Sequence, residues 1–273
     1  MSFSVNTNGT AFLALQNLTS TNQALTTTQN RISTGLKVAS AKDNSAIFAI
    51  AQGLRSDVGG LNAIKQSLDR ASSTIDVGVA AAETISNLLI DAKEKAVAAA
   101  DVGLDADSRA ALKSEYDSIL AQVDAVAGQA SFNGTNLVNA VDADAVQALT
   151  GDDDFANQNI TVAGVDLTTT ALTAATFTDA ATAATAVAAL DADIDTVSTA
   201  LSSFGSASRQ IELQRNFADT LSDSIETGVG NLVDADLARE SAKLQSLQVK
   251  QQLGLQALSI ANQAPSSVLS LFR

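Results

Sequence analysis

The stretch LNAIKQSLDRASSTIDVGVAAAETISNLLIDAKEKAVAA, residues 61–99, decides the fold. Leu61, Ile64, Leu68, Ala71, Ile75, Gly78, Ala82, Ile85, Leu89, Ala92, Ala96 and Ala99 follow one another in alternating steps of three and four. Only a helix brings residues so spaced onto one face, and the seam holds for about five heptads. At about 1.5 Å per residue it makes a rod of about 60 Å. Much of the seam is alanine or glycine, which lets a partner helix approach closely along its length.

The same pattern recurs on both sides. The first seam breaks at Val102-Gly103-Leu104-Asp105, and a new helix is expected to start near Asp107 or Ser108, either of which can cap its free N–H groups. Its face carries Leu112, Tyr116, Ile119, Val123, Val126 and Ala130. A third seam runs through Val187, Leu190, Ile194, Val197, Leu201, Phe204, Ser208 and Ile211, and is expected to reach about Ile225 before Gly228 and Gly230 interrupt it. Near the N-terminus, Leu15, Leu18, Asn22, Leu25, Gln29, Ile32 and Leu36 keep the spacing with two amides in line. Near the C-terminus, Leu237, Leu244, Leu247, Leu255 and Leu258 form one stripe, with Val249, Leu253 and Ile260 beside it. An apolar face that wide touches more than one neighbour. From Ser131 to Asp179 the period is lost. Asn133-Gly134 marks a turn there, and Ile160-Thr-Val-Ala-Gly-Val-Asp-Leu167 reads as a short hairpin. The fold class expected is mainly α: long antiparallel helices in a coiled-coil-like bundle, with a small β-hairpin region mid-chain. The chain ends pair, giving a hairpin-shaped subunit.

Composition excludes more than it assigns. Among 273 residues there is no Cys and no His, so thiol and Ser-His-Asp chemistry, the HExxH helix and the usual zinc sites are impossible. The 16 Lys and Arg against 30 Asp and Glu leave a net charge of −14, which disfavours nucleic acid and anionic membranes as partners. Aromatics are only 4% of a chain that is 46% hydrophobic, which suits long helices better than a deep pocket. No cofactor is expected. Asp191-Ala-Asp193-Ile-Asp195 starts like a calcium loop but lacks its Gly and Glu, Thr196 and Ser202 standing in those places, and is read as a solvated helix face. Asp152-Asp153-Asp154 reads as an exposed loop, and no phosphate-binding glycine loop is present. The first residues lack a basic n-region and an apolar h-region, and no apolar run approaches the ~20 residues of a membrane span. These signals alone leave the compartment open between the cytosol and export without a cleaved signal. The terminal stripes likewise admit two readings, the core of a monomeric bundle or contacts with other copies. Amide-rich, aromatic-poor ends with broad apolar faces favour assembly.

The termini resemble bacterial flagellin, the subunit of the flagellar filament. Val5-Asn6-Thr7-Asn8 is similar to the opening of that family, and Arg31-Ile-Ser-Thr-Gly-Leu-Lys-Val38 with Ser40-Ala-Lys-Asp43 to its signature stretch, Asn44 standing where a second Asp is common. Ser131-Phe-Asn-Gly-Thr135 resembles the hairpin that closes its N-terminal half. Val233-Asp-Ala-Asp-Leu-Ala-Arg-Glu240, Ala261-Asn-Gln-Ala-Pro265 and Val268-Leu-Ser-Leu271 resemble its C-terminal signatures.

The resemblance implies a structural protein, not an enzyme, that polymerises into a helical tube used for swimming. It implies inner-shell helices at 1–43 and 232–273 that assemble with other subunits through Leu15, Leu18, Leu25, Ile32, Leu36, Leu237, Leu244, Leu247, Leu255 and Leu258. Residues 44–231 would form an outer bundle, with a β-rich variable segment at about 131–179 too short for large outer domains. Its partners would be many copies of itself, an export chaperone, and junction and cap proteins. Its place would be the extracellular filament, reached by type III export without a cleaved signal. The rival functions are a hook–filament junction protein of the same superfamily and an exported coiled-coil effector or adhesin. Many flagellins present Gln-Arg-x-x-Glu-Leu to an animal immune receptor; the matching stretch here has Asp91 for Arg and Lys95 for Leu, while Glu94 is kept. This degenerate stretch implies weak recognition.

Overall fold

The computed structural model describes residues 7–139, 145–151, 158–172 and 175–269, the last six as backbone only. The described residues form helices α1 (Gly9–Thr34), α2 (Ser45–Ala99), α3 (Ala106–Gln129), α4 (Ala180–Val233) and α5 (Leu237–Leu269). Strands β1 (Ser131–Phe132), β2 (Thr135–Asn136), β3 (Val146–Leu149) and β4 (Asn159–Val162) lie between α3 and α4. The chain divides into a central unit, Asp57–Asp223, and a terminal unit made of Met1–Ser56 and Ser224–Arg273.

The central unit is built on the seam of α2. Ile64 through Ala99 of that seam are buried, with Leu61 half-buried at its edge. They share one core with Tyr116 and Val123 of α3 and Leu190, Val197, Phe204 and Ile211 of α4. Ion pairs along α2 and α4 give the direction: Lys65–Asp219 at 3.0 Å, Asp69–Arg215 at 2.6 Å, and Lys93–Asp191. The partner moves down α4 as the first residue moves up α2, so the helices are antiparallel in a single register. Gly78 has a local reason to be glycine. A Cβ there would stand 3.2 Å from the Cβ of Leu137, so its absence lets the segment after the first hairpin pack against α2.

That hairpin forms as the Asn-Gly signal predicts. Asn133 and Gly134 both have positive φ (51° and 86°), the twist a two-residue turn between antiparallel strands needs. The second hairpin differs from expectation. Ile160–Val162 pairs not with residues 165–167 but with β3, from Val146↔Val162 to Leu149↔Asn159. The β3 partner gives a four-residue ladder that buries Val146, Ala148, Ile160 and Val162 together, which a tight turn at Ala163-Gly164 does not. Val165 and Leu167 instead donate their N–H groups to the carbonyls of Leu137 and Val138, at 2.8 and 2.9 Å. Asp152-Asp153-Asp154 lies outside the described residues.

Three other details correct the sequence reading. The start of α3 is capped by Asp105, not Asp107 or Ser108: the Asp105 carboxylate accepts from the Ser108 N–H at 2.8 Å and from its hydroxyl at 2.8 Å. Those bonds hold the Asp105 carboxyl below its ordinary pKa. Gly228 and Gly230 do not interrupt α4, which runs on to Val233. A helical glycine costs about 1 kcal/mol relative to alanine, and burial of Val229 and Val233 among Val38 and Ala51 offsets it. Asp193 does not face solvent but is 3% exposed in the central core, while Asp191 is paired with Lys93.

Tyr116 is the aromatic centre of this core. It is fully buried, lies 5.1 Å from Phe177 between ring centroids, and donates its hydroxyl to the Ala175 carbonyl at 3.1 Å. Burial, then the charges of Asp193 and Asp117, push its phenol up to about 12. The folded state therefore favours the neutral phenol. Below pH 10 both states keep the proton and the contribution is whole; between about 10 and 12 the unfolded chain ionises first and the contribution drains away. From pH 9 to 11.5 the protein should lose about 2 kcal/mol more stability than its Tyr116→Phe variant, by urea titration.

Candidate functional site

The terminal unit carries the features the central core does not explain. In α1, Ala11, Ala14, Leu18, Thr21, Leu25, Thr28 and Ile32 form an inward line at steps of three and four, all buried or half-buried. In α5, Glu240, Leu244, Leu247, Gln251, Gly254, Leu258 and Ala261 do the same, and the two helices pack together. Polar bonds tie the pair along its length. The Asn8 amide donates to the Ala261 carbonyl at 2.7 Å, the Gln251 amide to Asn22 Oδ1 at 2.8 Å, and Arg31 to Glu240 at 3.1 Å, so the helices are antiparallel. The helices approach closely at Gly254, where a Cβ would be 3.3 Å from Leu18 Cδ1.

The joint below the pair is made by backbone. Gly35 takes φ 73° to end α1. The Lys37 and Val38 N–H groups donate to the Val233 carbonyl at 2.6 and 3.2 Å, and the Ala235 N–H donates to the Gly35 carbonyl at 2.9 Å. Asp43 closes the next turn by accepting from the Ala39 and Ser40 N–H groups at 3.1 and 3.0 Å, and the Ser40 bonds lower its pKa. The stretch from Arg31 to Asp43, prominent in the sequence, thus builds this joint.

The seam is imperfect in its polar side chains. Thr28 is completely buried, and its hydroxyl has no hydrogen-bond partner among the described residues. Nε of Arg31 and Oε2 of Glu240 are buried without one as well, although Lys243 stands 4.0 Å from that oxygen. The two amides read from the sequence as seam residues, Asn22 and Gln29, lie outside it; Thr21 and Thr28 take those places.

The ten predicted assembly residues divide three ways. Leu18 and Leu247 are buried in the α1–α5 pair. Leu25, Ile32, Leu36, Leu244 and Leu258 are half-buried. Leu15, Leu237 and Leu255 are exposed, so Leu255 does not share the face of Leu247 and Leu258. Val249, Leu253, Ile260 and Ile50 also point outward, as do Phe12 and Leu13, which periodicity missed because they are a doublet out of step with the seam. Nine of the fourteen large apolar side chains exposed among the described residues belong to the terminal unit. No charged side chain occurs in residues 1–30 or 251–272. On the central unit, Asp91 and Glu94 are exposed, and Lys95 pairs with Glu115 at 2.9 Å, which raises its pKa. Among the described residues no carboxylate group forms a metal cluster, and no helix is long and apolar enough to cross a membrane.

A pair of chain ends that leaves large apolar side chains exposed along both helices has the surface of a subunit that joins others. Comparison with known proteins gives the class its family. The bacterial flagellin N-terminal helical region matches residues 5–143, and the bacterial flagellin C-terminal helical region matches 187–272. The chain is 50% identical to flagellin FljK of Caulobacter vibrioides over 99% of its own length and 98% of that protein's. It is 39% identical to a Brucella melitensis flagellin over 99% of each. The crystal structure of Bacillus cereus flagellin superposes with a TM-score of 0.50 at 26% identity, over 56% of this chain and 88% of that one. A Vibrio parahaemolyticus chain assigned as a flagellar hook-associated protein shares the fold, with a TM-score of 0.59 at 11% identity, over 70% of this chain and all of that one. The chain belongs to the bacterial flagellin family and is a structural subunit of the flagellar filament.

The buried hydroxyl gives a direct test of the seam. Thr28→Val keeps the shape and removes an unsatisfied polar atom, so it should stabilise the α1–α5 pair by about 1 kcal/mol. Glu240→Ala strands Arg31 and should destabilise it by about 2 kcal/mol. Amide hydrogen exchange of residues 18–32 would read both.

Proposed function

We propose that this flagellin elongates its filament by burying the outward faces of α1 and α5 against other copies. The carrying observation is the apolar surface the pair leaves open: Phe12, Leu13 and Leu15 on α1, and Val249, Leu253, Leu255 and Ile260 on α5. Such a concentration on one unit marks an interaction surface. Copies related by a heterologous contact that does not close build a tube rather than a ring. In this reading residues 1–43 and 232–273 form the inner shell and residues 44–231 the outer bundle. Leu18 and Leu247 then hold the α1–α5 pair together, while Leu15, Leu237 and Leu255 reach neighbouring copies. The filament is slim, because only the short segment at about 131–179 is left to decorate it. The chain acts without catalysis, consistent with its lack of His and Cys. An export chaperone accompanies it to the type III apparatus, it leaves without a cleaved signal, and junction and cap proteins bracket the polymer.

Leu255→Asp tests the mechanism. A charge in an apolar contact is costly without a partner, and Leu255 is 54% exposed in the single chain. The variant should keep the thermal stability of the parent yet fail to elongate seeded filaments. Loss of monomer stability, or normal elongation, would move Leu255 out of the intersubunit contact.

The immune-receptor stretch follows from the same residue-by-residue reading. Asp91 reverses a charge and Lys95 is held by Glu115, so the receptor's partner groups are lost. Asp91→Arg with Lys95→Leu should raise receptor signalling in reporter cells well above the parent; an unchanged response would remove these positions from the account.

A further inference from the structure

The central unit has exposed large apolar side chains of its own, and they gather at two levels. Ile90, Val97 and Val102 lie on the last turns of α2 and the corner that follows, while Leu213 and Phe217 lie on α4. The ion pairs between α2 and α4 keep one register, which sets Phe217 level with Ser67 and Leu213 level with Ala71. The rise from Ala71 to Ala99 along α2 is about 42 Å. The corner between α2 and α3 is built rather than slack. Arg109 donates from Nε to the Ala99 carbonyl at 2.9 Å, and from Nη2 to the carbonyls of Asp101 and Leu104 at 2.9 and 3.1 Å. The Gly103 N–H donates to Asp101 Oδ1 at 2.8 Å, and Asp105 caps α3. This frame holds Val102 87% exposed. Asp101, Asp105 and Asp107 stand exposed around it, and the corner's one cation, Arg109, is bonded to backbone carbonyls.

The α4 level is the complement of that corner. Leu213 is 71% and Phe217 58% exposed. Arg209, Leu213 and Phe217 follow one another at steps of four, so they share one helix face, and exposed Glu212 lies off that line. Arg209, and Arg70 level with Gln214, are the central unit's two cations without a side-chain hydrogen bond or ion pair among the described residues. Both stand at the level of Leu213. We infer that the α2–α3 corner of one copy docks on the Arg209–Leu213–Phe217 face of α4 in a second copy. Val102 meets the two large apolar side chains, and the acidic corner meets Arg209. The occupant follows from opposite charge and from reach. With about 42 Å of α2 between the two levels, a corner cannot cover the α4 face of its own chain, and only another copy brings the two together. A corner already held by Arg109 gives up little freedom on docking. Corner and face are different surfaces, so the contact is heterologous and repeats head to tail. The inference rests on the polymer reading above and adds to it a second contact, between central units.

The chain has no cysteine, so a cysteine pair reports the contact without background. Full-length Val102→Cys and Leu213→Cys variants are elongated together on seeds, oxidised with diamide and run on non-reducing gels beside each variant alone. A disulfide needs Cα atoms within about 7 Å of each other. The mixture should therefore give a crosslinked dimer in filaments that neither variant gives alone and that unassembled subunits do not give. Filaments that form normally without that dimer overturn the inference. Phe217→Asp gives a second reading that needs no cysteine. Because Phe217 is exposed, the variant monomer should melt with the parent, yet need about tenfold more subunit to elongate. Elongation at the parental concentration overturns the inference as well. Leu255→Asp in the same assay reports separately on the contact of the chain ends, so failure of that reading is distinguishable from failure of this one.

Discussion

The seam between α1 and α5 mixes leucines with small and hydroxyl-bearing side chains, and the molecule is organised around how much apolar surface that seam leaves uncovered. Ala11, Ala14, Thr21, Thr28 and Gly254 allow the helices close approach, but they offer few methylene groups to remove from water. Leu18 and Leu247 are the large residues that the pair buries. Phe12, Leu13 and Leu15 of α1 and Val249, Leu253, Leu255 and Ile260 of α5 face outward. A richer seam would have made the pair self-sufficient and left no reason for other copies to cover it.

The central unit meets the opposite demand. Its α2 seam is continuous from Ile64 to Ala99, its ion pairs lock α4 antiparallel at three levels, and Tyr116 and Phe177 close its aromatic centre. Its large core, from Ile64 to Ile211, is drawn from its own residues. The division of labour is therefore chemical: the buried aromatic side chains lie in the central unit, and most of the exposed large apolar side chains lie in the terminal one.

How much of this the sequence made legible follows from the period of each segment. The α2, α3 and α4 seams could be read residue by residue, because a burial pattern that repeats every three or four positions has only one geometric meaning. The Asn133-Gly134 turn was equally legible, since few residue pairs accept two positive φ angles. The pairing of β4 was not, because local alternation does not reveal a partner strand ten residues earlier. Nor was the continuity of α4 through Gly228 and Gly230, which is decided by what Val229 and Val233 touch. At the candidate site the error was a shift in phase. Leucines were counted as the seam, whereas threonine and alanine fill much of it, so Asn22 and Gln29 were placed inside and Leu255 was grouped with Leu247. In a helix where small residues do the packing, size is a poor guide to which way a side chain points.

The chain contains one tyrosine and no tryptophan, and that tyrosine is fully buried in the central unit. Its ultraviolet fluorescence is therefore an optical probe with a single address. Tyrosine emission follows the opening of the core around Phe177 and Asp193, and carries no direct signal from the chain ends. A spectroscopist watching subunits join would follow the polymer by light scattering and the central core by tyrosine emission, and would have the melting of one unit recorded free of the other.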